Sequence, residues 1–167
     1  MSSFIGGRRK YKRFRLRTQR TYGYMKKILI MGLPGAGKTT LAKELAKMLN
    51  AVHFNADEIR REVNKDLKFE LVDRIEHARR MGVLCDIVVR SGHYAIADFV
   101  CPTRETRKAF GADKSFIICM DRIEAGRYED TNKLFEYPAM CNVRVGNTGT
   151  AEEWVNKIYH KLASAGQ

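Results

Sequence analysis

The sequence predicts an α/β fold in which a five-stranded parallel sheet lies between two layers of helices. Short apolar runs of strand length alternate along the chain with longer segments of helical periodicity. Such alternation is typical of strand–helix–strand units, whose crossovers cover both faces of one parallel sheet. A length of 167 residues with 44% apolar residues is enough for one domain with an ordinary core.

The first strand–helix unit contains a phosphate-binding loop. The apolar run 28–31 leads into Gly-Leu-Pro-Gly-Ala-Gly-Lys-Thr at 32–39, which fits G-x-x-x-x-G-K-[ST]. Its backbone N–H groups can face the phosphates of a nucleotide, Lys38 can reach the outer phosphates, and the Thr39 hydroxyl can bind Mg²⁺. The helix predicted over 38–50 points its positive end at the same phosphates. These features indicate a P-loop NTPase fold, with nucleotide contacts at Gly32, Gly35, Ala36, Gly37, Lys38, Thr39 and Thr40.

The later segments complete the alternation. The predicted strands are 28–31, 51–56, 94–100, 115–120 and 141–145, and the predicted helices are 38–50, 58–64, 71–91 and one that opens with the capping box Thr150-x-x-Glu153. The polar connection 121–140 is predicted to be a mobile lid. Ligands of open parallel sheets bind beyond the carboxyl ends of the strands, so the site is expected at that edge.

Two acids lie where predicted strands end. Asp57 follows the second strand, where it could accept a proton from a substrate hydroxyl or hold a Mg²⁺-bound water, or act as the N-cap of the next helix. Asp98, near the end of the third strand, is either a Walker-B-type acid that holds the Mg²⁺ shell through water or an ordinary structural acid. Arg60 and Asn64 are one helical turn apart, which suits an anionic substrate.

Two spaced motifs follow the second predicted strand. They read Asp57-x-x-Arg60-x-x-x-Asn64-Lys-Asp-Leu-x-Phe69 and Asp73-Arg74-x-Glu76-x-x-Arg79-Arg80-x-Gly82. Their residues and their distance from the phosphate loop resemble the substrate-side signature of adenylylsulfate (APS) kinases, and the resemblance covers about residues 26–106. Members of that family transfer the γ-phosphoryl group of Mg·ATP to the 3′-hydroxyl of adenylylsulfate.

The resemblance implies a role for each matching residue. Asp57 would lie near the 3′-hydroxyl, and with Lys38 it would form the catalytic pair. The implied substrate contacts are Arg60 and Asn64 to the phosphosulfate, Phe69 stacked on the adenine, and Arg74 supporting the substrate anion. Dimers are usual in that family, which implies a homodimer that binds a small nucleotide substrate.

A further stretch, Phe99-Val-Cys-Pro102 with Arg104, resembles the family's F-[IV]-S-P-x-R. Cys101 replaces the usual serine, and Cys101, Pro102 and Arg104 would line the substrate pocket. Cys101 is not expected to be a nucleophile, because no base lies near it in sequence and phosphoryl transfer needs direct in-line attack. The family commonly has a small residue at the position of Asp98, so the two interpretations of that acid stay open.

The predicted lid departs from the family. The run R-D-x-K-G-L-Y that typifies APS kinases is absent between Asp121 and Lys133. Arg122 and Arg127 are predicted nucleotide contacts there, and Lys133 a substrate contact. Two alternatives therefore stay open: a kinase acting on another small-molecule or nucleic-acid hydroxyl, and a nucleotide-binding module without catalysis.

The positive charge is concentrated at the N-terminus. Ten of the 31 Lys and Arg residues lie in residues 1–27, which contain no acid, so 21 basic residues face 19 acidic ones in the remainder. Residues 1–25 are predicted to be a basic, disordered arm, or a stretch upstream of a start at Met25, ahead of a kinase domain at 26–167. Nucleic-acid binding through residues 8–20 is the alternative.

The remaining features predict a cytoplasmic protein. No run approaches the ~18 apolar residues that a membrane span requires. The four cysteines are widely spaced and are expected to be buried thiols in a reducing compartment. His77 is expected to be a surface histidine, and Arg79 and Arg80 are expected to be solvated charges.

Overall fold

A five-stranded parallel sheet forms the centre of the protein, whose computed structural model describes residues 26–165. The strand order is β2-β3-β1-β4-β5, and every neighbouring pair is parallel. The strands are β1 Lys27–Gly32, β2 Val52–Asn55, β3 Ala95–Phe99, β4 Phe116–Met120 and β5 Val143–Val145. All five lie within the predicted segments or within one residue of them, and the three-layer fold is confirmed.

Within residues 26–165, six α-helices join and cover these strands. They are α1 Lys38–Leu49, α2 Ala56–Glu62, α3 Leu71–Arg90, α4 Arg104–Phe110, α5 Glu129–Leu134 and α6 Ala151–Ala165, with a 3₁₀ turn at Ala112–Lys114. The predicted capping box at the start of α6 is present: Glu153 N–H donates to Thr150 Oγ1 over 3.2 Å, and Thr150 N–H donates to the Glu153 carboxylate over 2.8 Å. The sequence pattern missed α4 and α5.

Alternate residues of β1 separate the core into two layers. Ile28 and Ile30 join the layer formed with α1 and α6, whereas Leu29 and Met31 join the layer formed with α3 and α4. All four side chains are fully buried. The sheet is therefore covered on both faces, as strands that are apolar throughout require.

Helix α2, the first helix after β2, does not use Asp57 as its N-cap, which was one of the two roles considered for this residue. The Asn55 side chain accepts a hydrogen bond from Glu58 N–H over 3.0 Å, so Asn55 is the N-cap and α2 begins at Ala56. Asp57 lies inside the first turn, where its charge interacts favourably with the helix dipole. The N-cap assignment for Asp57 is wrong, and its carboxylate remains available to a ligand.

The burial of the cysteines and the hydropathy of the helices also bear on the sequence predictions. The thiols of Cys85, Cys101 and Cys119 are buried as predicted, whereas Cys141 is partly exposed, and all four are unpaired. Among the helices of residues 26–165, none has the length and hydropathy that crossing a membrane requires.

Helices α3 and α4 pack closely at Gly82, so a larger side chain there should destabilise the fold. A Cβ atom added at Gly82 would lie 2.5 Å from the carbonyl oxygen of Phe110. Gly82→Ala must push the two helices apart and should lower the free energy of unfolding by about 1–3 kcal/mol in denaturant titration. Gly146→Ala is the control, because nothing lies within 4 Å of the added atom. Equal unfolding midpoints for the two variants would contradict the close packing.

Candidate active site

The phosphate-binding loop leaves the sheet at a point of close backbone contact. A Cβ atom on Gly32 would lie 2.7 Å from the carbonyl oxygen of Met120 on the neighbouring strand β4. Gly37, immediately before α1, has φ +88°, a left-handed conformation that glycine adopts without strain. The two glycines therefore let the loop turn tightly from β1 into α1.

Lys38 lies across its own loop. Its Nζ donates a hydrogen bond to the Leu33 carbonyl over 2.8 Å. Burial lowers the pKa of Lys38, and the carboxylates of Asp98 and Asp57 act in the opposite direction. The lysine and the two strand-end acids singled out in the sequence therefore lie within electrostatic reach of one another.

A hydrogen-bonded cluster joins three elements behind the loop. Asn55 Nδ2 donates to Thr39 Oγ1 over 3.2 Å and to Asp98 Oδ1 over 3.0 Å. Asp98 is 2% exposed. His53 Nε2 is 3.1 Å from Asp98 Oδ1 but lies in a direction unsuitable for a hydrogen bond. Sequence reasoning missed Asn55, because a strand-end amide belongs to no motif. The register that pairs Asn55 with Asp98 is a tertiary feature.

The cluster has the donor set of a Mg²⁺ site in a nucleotide complex. Thr39 has a hydroxyl and Asp98 a buried carboxylate, and oxygen groups of this kind hold Mg²⁺ directly or through water. Within residues 26–165 no three His, Cys, Asp or Glu side chains converge to enclose a metal. This arrangement fits Mg²⁺, which keeps several waters and uses substrate phosphates as ligands.

A small cavity lies beside the loop at the carboxyl edge of the sheet. Its volume is about 80 Å³, and it brings together side chains from α2, from α3, from the segment between these two helices, and from the end of β3 and the residues after it. Six of the predicted substrate residues line it. The lining residues are Ala56, Asp57, Arg60, Phe69, Arg74, His77, Phe99, Val100, Cys101 and Pro102.

Two guanidinium groups flank one aromatic ring in this cavity. The Arg60 guanidinium lies 4.8 Å from the centre of the Phe69 ring, and that of Arg74 lies 5.8 Å from it. Burial lowers the pKa of both arginines, although both stay charged at neutral pH. Phe69 is 66% exposed. The cavity therefore presents positive charge and an aromatic face, which suits an anionic substrate with a planar base.

Three predicted substrate residues lie elsewhere. Asn64 is 2% exposed and is bonded to His77 and Arg80. Arg104 borders a larger groove of about 1050 Å³, formed by α3, α4 and residues 136–140 and away from the phosphate loop. The Lys133 ammonium pairs with Glu129 over 2.8 Å on an exposed face of α5. The structure therefore does not place these three side chains among those lining the small cavity.

The predicted lid contacts both halves of the site. A Cβ atom on Gly126 would lie 2.8 Å from Pro34 Cδ, so this segment packs directly on the phosphate loop. The Asn132 side chain accepts from Gly126 N–H over 2.9 Å and donates to Gly126 O over 3.0 Å. At the other end, Arg74 Nη2 donates to Thr131 Oγ1 over 3.4 Å. The segment thus spans from the loop to the small cavity.

The two lid arginines predicted to contact the nucleotide differ in position. Arg122 Nη1 lies 3.9 Å from the point where a Cβ on Gly37 would stand, which places its guanidinium beside the phosphate loop. Arg127 is exposed.

His77 is buried, which contradicts the expectation of a surface histidine. It is 3% exposed, because the buried face of α3 runs through His77, Ala78 and Met81. The pKa of His77 is lowered to about 4. The largest cause is burial of the ring, and the second is the positive charge of Arg60. The imidazole is therefore neutral at physiological pH.

The low pKa of His77 predicts an acid-sensitive stability. Above about pH 6.5 the ring is neutral in both folded and unfolded chains, but between pH 6.5 and 4 only the unfolded chain takes up the proton. Stability should fall across this window, by up to about 3 kcal/mol below pH 4. Denaturant titrations at several pH values measure the loss, and His77→Gln should flatten it. Identical pH profiles for the two proteins would contradict a neutral buried His77.

The cysteine in the cavity is not activated. Cys101 has φ +48°, a left-handed conformation rare for a residue with a side chain, and its thiol is fully buried. Burial raises the pKa of Cys101 to about 12. The thiol therefore lacks the properties of a nucleophile at neutral pH.

Thiol labelling tests this environment. At pH 8 the partly exposed Cys141 should react with a disulfide reagent first, and Cys141→Ser should abolish the fast reaction. Cys85 and Cys101, whose pKa values burial raises to about 12, should react only after unfolding. Rapid labelling of Cys101 in the folded Cys141→Ser protein would show that the cavity is open to solvent.

The family model and the curated relatives indicate one family. The model of the family described as "Adenylylsulphate kinase" matches residues 25–124. An adenylyl-sulfate kinase of Gloeothece citriformis is 30% identical over 166 residues, covering 83% of this chain and 94% of that protein. Adenylyl-sulfate kinase 3 of Arabidopsis thaliana is 37% identical over 87 residues, covering 49% of this chain and 42% of that protein.

A solved structure supports the fold independently. The Mycobacterium tuberculosis APS kinase CysC in complex with AMPPNP and APS superposes with a TM-score of 0.71 at 20% identity, covering 82% of this chain and 97% of that chain. At 20% identity, this structural similarity shows the fold alone. The family itself is shown by the sequence, because the family model covers more than half of it. The chain belongs to the adenylylsulphate kinase family.

Proposed function

We propose that the protein transfers the γ-phosphoryl group of ATP to the 3′-hydroxyl of adenylylsulfate, giving 3′-phosphoadenylylsulfate. The observation that carries this proposal is the cavity beside the phosphate loop, where Asp57, Arg60, Phe69 and Arg74 lie together. These four residues belong to the family signature, although they are spread over 18 positions of the sequence. Family membership supports the same reaction.

On the donor side, the loop and the N-terminus of α1 bind the phosphates of ATP. Backbone N–H groups and the helix dipole supply positive potential there. To reach the transferred phosphoryl group, Lys38 exchanges its bond with the Leu33 carbonyl for phosphate oxygens. Arg122, beside Gly37, adds a cation on the lid side, and Arg127 joins it when the lid closes.

Thr39 and Asp98 are the residues that would hold Mg²⁺, Thr39 through its hydroxyl and Asp98 through water. When bound there, the ion would neutralise negative charge on the phosphates of ATP. Asn55 keeps the hydroxyl and the carboxylate in place, because its amide donates to both.

On the acceptor side, Asp57 orients the 3′-hydroxyl and accepts its proton as the bond to phosphorus forms. It is exposed at the mouth of the cavity and lies within electrostatic reach of Lys38. Arg60 and Arg74 bind the phosphosulfate, and the adenine stacks on Phe69. Cys101 and Pro102 close the wall behind. Such positioning, together with electrostatic stabilisation, provides most of the rate in phosphoryl transfer.

Three expectations from the sequence remain predictions. The basic arm and its binding of nucleic acid concern residues 1–25, which lie outside the described residues. A homodimer and a cytoplasmic location are likewise predicted from the family resemblance and from the composition.

Turnover measurements test the proposed reaction. ATP consumption is compared with adenylylsulfate, nucleosides and oligonucleotides as acceptors, and adenylylsulfate should be preferred. Lys38→Ala should lower kcat by about 10²-fold or more, since it removes a cation from the transferred phosphoryl group. Asp57→Asn should lower kcat by about 10²-fold or more, since it removes the proton acceptor. Glu58→Gln is the matched control, because this exposed carboxylate neighbours Asp57 on the same helix turn.

The outcomes separate the alternatives. Preferred turnover with a nucleoside or an oligonucleotide would identify a different acceptor on the same fold. Retained ATP binding without turnover of any acceptor would indicate a nucleotide-binding module and overturn the kinase assignment. Equal losses in Asp57→Asn and Glu58→Gln would remove Asp57 from the proposed mechanism.

A further inference from the structure

The proposed reaction does not use the large groove along α4. This groove has a volume of about 1050 Å³ and is formed by α3, α4, the 3₁₀ turn and residues 136–140. Three large side chains that line it are exposed to solvent: Val83 is 43% exposed, Tyr137 55% and Met140 84%. Exposed apolar groups gathered in one groove indicate a surface that binds a partner.

The groove reaches the sheet at β4, whose two faces are covered unequally. Phe116 and Ile118 are fully buried in the layer formed with α1 and α6. Ile117 faces the other layer, is only partly buried, and lines the groove. A strand of a parallel sheet is normally covered on both faces. The groove therefore lies where a further helix could complete the second layer.

The wall formed by residues 136–140 is held in place at both ends. At one end, Glu136 N–H donates to the Pro102 carbonyl over 2.8 Å. At the other end, Asn142 N–H donates to the Ile117 carbonyl over 2.9 Å, and the Asn142 side chain accepts from Ile117 N–H over 2.7 Å. The exposed side chains of this wall therefore stand on an anchored segment, which reduces the ordering that binding would require.

The charged side chains of the groove leave an excess of positive charge. Six of the lining residues are cationic and three are acidic, a net charge of +3. Two of the acids are paired within the groove, Asp86 with Lys27 over 2.8 Å and Glu136 with Arg107 over 3.6 Å. In the part of the chain that the structure describes, three of the six cations form no salt bridge, and all three are exposed; they are Arg104, Lys108 and Lys114.

We propose that this groove binds an acidic amphipathic helix of a partner protein. The apolar face of that helix covers the exposed side chains of the groove and the uncovered face of β4, as helices do in other apolar grooves. Its carboxylates pair with Arg104 and Lys108, which are one turn apart on α4, and with Lys114 beyond them. Arg104, which the small cavity does not include, has a role in this interaction. The inference goes beyond the proposed reaction and does not depend on it.

Charge and chemistry favour this occupant over three others. Residues 1–25 of the chain contain eight Lys and Arg and no acid, so the groove would repel them. A two-fold contact between copies of the chain would place the same cations opposite one another. Nucleic acid would be attracted by the cations, but its phosphates gain nothing from the aliphatic side chains of Val83 and Met140.

Peptide titration followed by backbone amide NMR of the full chain tests the groove. The probe is a synthetic amphipathic helix with leucines on one face and glutamates on the others, and its control carries lysine in place of glutamate. The acidic peptide should shift the amide signals of residues 104–117 and 136–142, and its Kd should rise with salt concentration. The lysine peptide should leave these signals unchanged.

Substitutions in the groove test the two parts of the interaction separately. Met140→Ser should raise the Kd of the acidic peptide about tenfold, because it removes apolar contact. Lys108→Glu should raise it about tenfold, because it turns attraction into repulsion. Met48→Ser and Lys161→Glu, at exposed positions of α1 and α6, are the matched controls and should leave the Kd unchanged. Unfolding midpoints and ATP binding should equal those of the wild type in all four variants.

Four results would overturn the inference. The first is an acidic peptide that shifts no signals in these two segments, and the second is a lysine peptide that binds equally well. The third is an oligonucleotide that shifts the same signals at lower concentration than the peptide, which would assign the groove to nucleic acid. The fourth is a dimer in light scattering that Met140→Ser dissociates, which would assign the groove to a second copy. Turnover of adenylylsulfate is unaffected by each of them, so the proposed function stands or fails separately.

Discussion

The side-chain amide of Asn55 connects the two halves of the site. Its nitrogen donates to Thr39 behind the phosphate loop and to Asp98 at the end of β3, while its oxygen caps α2. The cap determines where α2 begins and therefore where Asp57 stands relative to Lys38. One amide thus relates the proposed ATP side of the site to the proposed acceptor side. The parallel register that pairs Asn55 with Asp98 makes this possible.

Much of the fold could be predicted from the sequence, because its signals are local. The phosphate loop is specified by glycine spacing and by flanking segments, and each strand is a short apolar run. Helices α4 and α5 gave no such signal. Buried residues of α4 are limited to Thr106 and Phe110, and α5 buries one residue, Thr131. Neither forms the apolar stripe that helical periodicity detects.

The cavity was only partly predictable for a different reason. Asp57, Arg60, Phe69 and Arg74 were recognised by motif spacing, and the structure brings them together. His77 was misjudged because the rotation of α3 about its axis is set by packing against the sheet and α4, and that rotation turns His77 inward. The sequence also does not show which groups a polar side chain is bonded to. Asn64 matches a binding motif, yet both ends of its amide are bonded to protein side chains, those of His77 and Arg80.

The size of the acceptor cavity has an energetic consequence. At about 80 Å³ it is far below the ~300 Å³ at which small-molecule pockets begin, so an acceptor nucleotide bound as proposed above would have to enlarge it. The free energy of that opening is subtracted from the contacts the nucleotide makes, and the apparent affinity falls by the population of the open form.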